Sequence, residues 1–382
     1  MKLVLAFDSF KGCLSSSKII DIATRAIKNI IPQATICGFI IADGGEGTID
    51  ALVSGLNGSV IGSQFSNLEG IVQSANIGII NNQCILECAQ TVSLVQSDRM
   101  QVELKTTHGL GEQIKFALDL GYRQFVVGLG GSGTNDAGIG MLEELGYSFL
   151  DSNGNLIDGL LKNISQIMTI DASNVDSRLV ESSFTVLSDV NNPLYGSNGA
   201  SYIYGPQKGI MPEQLAEFDY GIMQFSKVAA NHFGFDKSCL AGSGAAGGLG
   251  YAFLQFLNAR LVSGVEHILS ALNVAEEIAD ADLVLTGEGR SDAQTAQGKV
   301  ALGVAKIAKQ SSTPVLLISG ALSAEAYQLH QFGIDFMSSI QDYPAEIEYV
   351  MQPEIAEKLL QQRVEETMRL LLIGQKLSLL NS

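Results

Sequence analysis

VVGLGGSGTNDAGIG, residues 126–140, is the stretch on which the fold reading turns. It sets a literal G-x-G-x-x-G at Gly128, Gly130 and Gly133 straight after an apolar run that reads as a strand. That pattern opens dinucleotide-binding folds, and Asp151 follows ~20 residues on, where such a fold wants a ribose-binding carboxylate. Position argues against that use. A dinucleotide fold carries the motif in its first strand–turn–helix, whereas here it falls mid-chain, with Asn135 and Asp136 where the helix is expected to start. A carboxylate there sits badly beside a pyrophosphate unless a metal intervenes.

Outward from this loop, both ends of the chain alternate strands and helices. K-L-V-L-A-F is an apolar run of parallel-strand type. Ser15, Ser16 or Ser17 can cap a helix whose apolar stripe is Ile19, Ile22, Ala23, Ala26, Ile27 and Ile30, and Pro32 ends it. A-T-I-C-G-F-I-I then reads as a second buried strand. Near the C-terminus come D-L-V-L-T, a helix through Val300, Val304 and Ile307, the strands P-V-L-L-I-S-G and I-D-F-M-S-S-I, and a long amphipathic helix over 353–375. The centre is mixed: I-V-Q-S-A-N-I-G-I-I and N-N-Q-C-I-L-E-C predict a hairpin turning at an Asn-Asn pair.

At 382 residues the chain suggests two domains, and 46% hydrophobic against 16% charged residues supplies ample core. With 23 basic and 40 acidic residues, the net charge of −17 repels phosphate backbones, and no Lys/Arg run offsets it, so nucleic acid is not an expected partner. Five cysteines without a C-x-x-C pair read as reduced thiols, and four scattered histidines argue against a dedicated zinc site. The N-terminal apolar run is too short for an export signal and no membrane span is expected, which predicts a cytoplasmic location.

Several loops that follow apolar runs carry chemistry suited to phosphoryl transfer, which needs cradled phosphates, a carboxylate-held metal, cations and an oriented nucleophile. In D-S-F-K-G, Asp8 suits a metal or a substrate hydroxyl and Lys11 a phosphate or carboxylate, although a plain solvated turn reads equally well. A-D-G-G-E-G-T sets Asp43 and Glu46 around three glycines, more than a turn requires. G-E-G-R-S-D-A-Q-T brings Glu288, Arg290 and Asp292 together, where a helix-capping ion pair is the structural alternative. In S-D-V-N-N-P-L-Y-G, Asp189 suits a general base or a metal ligand, while Asn191, Asn192 and Pro193 are equally good turn formers. Y-G-P-Q-K-G presents Lys208, and G-S-G-A-A-G-G-L-G reads as close helix packing. No G-x-x-x-x-G-K-[ST] occurs, since Gly298-Lys299 is followed by Val300, and no H-R-D or D-F-G set appears.

Taken in order, these motifs resemble the type I glycerate kinases: D-S-F-K-G, A-D-G-G-E-G-T, G-L-G-G-S-G-T-N-D-A-G, S-D-V-N-N-P-L-Y-G-S-N-G-A-S, Y-G-P-Q-K-G, G-S-G-A-A-G-G-L-G and G-E-G-R-S-D-A-Q-T-A-Q-G-K. The resemblance implies an α/β fold of two domains: a Rossmann-like three-layer domain built from both chain ends (1–66 plus 286–382) and a mixed α/β domain inserted between them (67–285), with the active site in the inter-domain cleft. It also implies ATP and Mg²⁺ as cofactors, and phosphorylation of D-glycerate, in members generally on the 2-hydroxyl, to give 2-phosphoglycerate. Read with the resemblance, the catalytic set is Asp189, Lys11 and Arg290, and Asp8, Ser9, Asp43, Glu46 and Asn191 address the substrate. Gly130, Gly131, Ser132, Thr134, Asn135, Asp136, Lys208 and Glu288 address the nucleotide, and Asp292 and Asp189 the metal. Tyr195, Gly133, Ala137 and Ser243 depart from the family pattern, Tyr195 by the largest change in size. The partners expected are glycerate and ATP, with no membrane and with a homodimer left open. Two rival readings stand beside the kinase: an NAD-dependent oxidoreductase using Gly128–Gly133, and a non-catalytic sugar-acid sensor.

Overall fold

A computed structural model of the protein describes residues 1–94, 101–293, 295 and 299–380. The chain divides into two compact units, one of Met1–Asp43, Asp50–Gly55 and Val265–Ser382, the other of Gly44–Ile49 and Leu56–Gly264.

Unit 1 is built on a five-stranded sheet. Lys2–Phe7 runs between Thr35–Ile40 and Leu283–Gly287; Val315–Ser319 and Phe336–Ser339 follow outward from the latter, and every pairing is parallel. The second strand in sequence therefore lies to one side of the first and the last three to the other, which is a doubly wound order with its switch point between Lys2–Phe7 and Leu283–Gly287. Leu3, Leu5 and Phe7 pack against a helix over Ser16–Ile30, whose Ile19, Ile22, Ala23, Ala26 and Ile27 are buried as the stripe predicts, while Ile30 at its end is only partly buried. Ser15 caps that helix, its hydroxyl accepting the Lys18 N–H at 3.3 Å. The long helix Pro353–Leu380 joins the same core through Ala356, Leu359, Leu360, Val364 and Met368. Thr35–Ile40, read from sequence as buried, is an exposed-to-half-buried edge strand, because the sheet order gives it a single neighbour.

Unit 2 holds a six-stranded mixed sheet in the order Arg260–Val262, Ser183–Leu187, Gln124–Gly128, Gln83–Glu87, Val72–Ile80, Ser59–Ser66. The first four strands are parallel and the last two antiparallel. The predicted hairpin is Val72–Ile80 with Gln83–Glu87, turning at Asn81 with φ of 52°. Ser59–Ser66 pairs along its length with Val72–Ile80, which draws it into this sheet, whereas Val265–Asp282 belongs to unit 1. Phe125, Phe184, Phe253 and Phe225 are among the aromatic rings of a large apolar core. No helix among the described residues is long and apolar enough to cross a membrane.

Candidate active site

The carboxyl ends of all five strands of the unit 1 sheet open onto one cavity of ≈ 580 Å³, lined by Asp8, Asp43, Glu288, Gly320 and Ile340 at the strand ends. Ligands sit at this edge in doubly wound sheets because the loops there are free to carry chemistry while the strands hold them rigid. Lys11, Arg290 and Lys299 add three cations. Lys11 Nζ lies 3.4 Å from Asp43 Oδ2, Arg290 Nε 3.6 Å from Asp292 Oδ2, and Lys299 Nζ 3.7 Å from Glu288 Oε2. These separations are long for ion pairs, and Arg290 is 71% exposed, so its guanidinium stays available to an anion.

Electrostatics make the cavity acidic at its floor. Asp8 is buried and accepts the Ser9 N–H at 2.7 Å. Burial first, then the neighbouring Asp43 carboxylate, push the Asp8 carboxyl up to about 7, against the opposing pull of Lys11. Glu288 is likewise raised by burial, although it accepts the Ser291 and Thr295 hydroxyls at 2.9 and 2.6 Å. Ser9 Oγ, on the cavity wall, is a buried hydroxyl without a hydrogen-bond partner among the described residues. Thus Asp8, Ser9, Lys11, Asp43, Glu288 and Arg290 come together in unit 1. Gln294 and residues 296–298 of the last motif lie outside the described residues.

The glycine loop of unit 2 is put to a different use. A Cβ on Gly128 would lie 2.6 Å from the Gly44 carbonyl oxygen, one on Gly130 2.5 Å from Gly45 Cα, and one on Gly133 3.1 Å from Leu94 Cα. The space those glycines open is thus filled by this chain's own backbone, not left for a pyrophosphate, and the helix after the loop begins only at Ile139. Both features remove the basis for the dinucleotide reading. Thr134, Asn135 and Asp136 have no exposed surface. Asp136 accepts the Thr107 N–H at 3.0 Å, the Thr107 hydroxyl at 2.7 Å and the Gly138 N–H at 3.1 Å. Lys208, also buried, donates to Ser132 Oγ at 3.1 Å and to the Thr134 carbonyl at 2.7 Å, and burial lowers its ammonium to about 8. Of the eight residues expected to address the nucleotide, Gly131 is exposed and Gly130 half-buried in this loop; Ser132, Thr134, Asn135, Asp136 and Lys208 are interior, and Glu288 lies in unit 1. The G-S-G-A-A-G-G-L-G segment packs as expected: Gly247 accepts the Ala137 N–H at 2.9 Å, and a Cβ on it would meet the Thr134 carbonyl oxygen at 2.1 Å.

Asp189 sits in the loop after Ser183–Leu187, at the carboxyl edge of the unit 2 sheet, where its Oδ1 accepts the Gly264 N–H at 3.1 Å. Asn191 and Glu46 are exposed on loops of the same unit. Tyr195 packs against the unit 2 core. Asp292 and Asp189, the expected metal ligands, belong to different units, and no group of three His, Cys, Asp or Glu side chains able to hold a metal occurs among the described residues. Sequence reading also passed over residues that matter to the geometry. Lys299 closes the last motif and stands as evidence against a Walker loop, but was given no role at the site. Glu87, buried at the end of its strand, accepts the Ile49 N–H at 2.6 Å in the first turn of the helix Thr48–Gly55; the signal was an acid closing an apolar run.

Comparison with known proteins bears on this arrangement. The glycerate kinase family profile matches residues 3–372. The chain is 39% identical over 344 residues to a glycerate kinase of Bacillus subtilis (strain 168), covering 89% of this chain and 90% of that one. It is 38% identical, with the same coverage, to a glycerate 2-kinase of Escherichia coli (strain K12). A crystal structure assigned as glycerate kinase 2 from Salmonella typhimurium LT2 aligns with a TM-score of 0.84 at 35% identity, over 98% of this chain and 99% of that chain.

Proposed function

The chain belongs to the glycerate kinase family, and from that premise we propose that it transfers the terminal phosphate of ATP to the 2-hydroxyl of D-glycerate, giving 2-phosphoglycerate and ADP. The observation that carries this reading is the unit 1 cavity, into which five parallel strands deliver Asp8, Asp43 and Glu288 beside Lys11, Arg290 and Lys299. Phosphoryl transfer asks little covalent work of a protein and much electrostatic work, and three cations beside three carboxylates supply both signs of charge that it needs. The relative named a glycerate 2-kinase supports the choice of hydroxyl.

In this reading Lys11 and Arg290 hold the carboxylate of glycerate and the transferring phosphate, the guanidinium by its two-pronged fork. Asp189 accepts the proton of the reacting hydroxyl. Asp8 and Asp43 are the better candidates for Mg²⁺: burial first, and then the Asp43 carboxylate, lift Asp8 to about 7, a cation relieves both penalties, and Mg²⁺ is commonly held by one or two carboxylates plus phosphate oxygens. When bound, the metal neutralises charge on the phosphates. Asp136 and Lys208 act on the loop around them and not on the nucleotide, since their polar atoms are spent inside unit 2.

Asp189→Asn should cut turnover by about 10²–10⁴ while leaving nucleotide affinity nearly unchanged. Near-normal turnover removes Asp189 from that role. ³¹P NMR of the product from ATP and D-glycerate tests reaction and regiochemistry together; a product phosphorylated on the 3-hydroxyl would discard the assignment of position.

A further inference from the structure

The unit 1 cavity has two chemically distinct halves. One is the charged rim of strand ends just described. The other is an apolar wall contributed by the segment after the last strand: Ile340, Ala345, Ile347, Val350 and Met351. Ile347 is 63% exposed and Met351 39%, so this wall presents large apolar groups to solvent in a concave setting, a costly arrangement that marks binding surfaces. The two halves adjoin: Met351 Cε lies 3.5 Å from where a Cβ on Gly12 would stand, next to Lys11 in the chain.

We propose that this apolar wall seats the base of the donor nucleotide, with its phosphates running toward Lys11, Arg290 and Lys299. The inference rests on the kinase reading and adds where the donor lies within unit 1. Size supports it. Drug-sized and cofactor ligands occupy pockets of roughly 300–1,000 Å³, and ≈ 580 Å³ is far more than a three-carbon acid fills. Polarity supports it more strongly. Glycerate carries a carboxylate and two hydroxyls and has no apolar end to place on Ile347, Val350 and Met351, whereas a nucleotide is flat and apolar-faced at one end and polyanionic at the other. Aliphatic and thioether groups grip an aromatic face through dispersion and sulfur–ring contacts. The switch point between Lys2–Phe7 and Leu283–Gly287 is also where doubly wound sheets take nucleotides.

Two exposed positions test the seat, Ile347→Glu and Met351→Glu, each placing a carboxylate on the wall with little demand on folding. ADP binding to each, followed by calorimetry, should weaken by about 10-fold or more, and KM for ATP should rise in step while KM for glycerate stays near wild type. Adenosine, which has no phosphates, should inhibit the wild type competitively with ATP and inhibit both variants less. Equal ADP binding by wild type and both variants overturns the proposal, as does a rise confined to the KM for glycerate. Because ADP binding is read without turnover, a wild type that binds ADP at this wall yet fails to phosphorylate glycerate would sink the kinase reading and leave the seat standing.

Discussion

Asp8 and Asp136 are buried aspartates in loops that follow parallel strands, one in each unit, and burial raises both carboxyls. Their surroundings differ in what is offered back. Asp136 is met by donors on every side, from Thr107, Gly138 and Gly140, so the lost hydration is repaid within the fold. Asp8 receives the Ser9 N–H and the partial pull of Lys11, but faces Asp43 and Glu288, two more negative charges. Motif content alone ranks the two loops alike, and a glycine-rich loop with an Asn-Asp pair looks the more nucleotide-like. Satisfaction of polar groups separates them: a buried acid surrounded by donors serves the fold, and one crowded by its own kind awaits a ligand.

Substitution with asparagine should break that comparison in opposite directions. At Asp136 it turns one carboxylate oxygen into an amide donor facing donors, and we expect a loss of about 2–4 kcal/mol in urea unfolding. A loss under about 0.5 kcal/mol would mean these hydrogen bonds do not hold the loop. At Asp8 the same change should stabilise, by about 1–2 kcal/mol at pH 8, while abolishing most activity, the trade expected where function stores unfavourable charge. The sign depends on pH. With a folded value of about 7 against an unfolded one near 3.8, the ionised form is penalised fully above pH 7 and not at all below about pH 4. The wild type should therefore lose stability at this group between those limits, and the advantage of Asp8→Asn should vanish at pH 4. A gain that persists there would have another origin. The smallest stability effect belongs to Arg290→Ala. Exposed and 3.6 Å from Asp292, the side chain should change unfolding free energy by less than about 0.5 kcal/mol while weakening anion binding. Differential scanning calorimetry with and without inorganic phosphate reads both.

Much of the architecture was legible along the chain. The Lys2–Phe7 strand, the serine-capped helix with its buried stripe, the Asn-turned hairpin and the alternating elements of the C-terminal region follow from local periodicity and turn chemistry, although which of Ser15, Ser16 and Ser17 caps does not. The edge position of Thr35–Ile40 was not, because an apolar run does not say how many neighbours a strand will have. Among candidate site residues, those directly after strands in unit 1 converge as a group, since a parallel sheet aligns its strand ends whatever lies between them. The interior fate of Thr134, Asn135 and Asp136 depends on partners far away in sequence, Thr107 on one side and Gly247 on the other, which no motif displays. The apolar wall was invisible for a related reason: Ile347 and Met351 belong to no motif, and only the placing of the strand ends beside them gives them a setting.

The pairing of Leu3 with Leu283 also constrains the order of assembly during synthesis. The Lys2–Phe7 strand of the first sheet is translated long before Leu283–Gly287, one of its two flanking partners. Everything needed for the second sheet emerges in the interval. A nascent chain must therefore keep an apolar N-terminal segment waiting, and closure of so long a loop makes the last docking event slow relative to local folding.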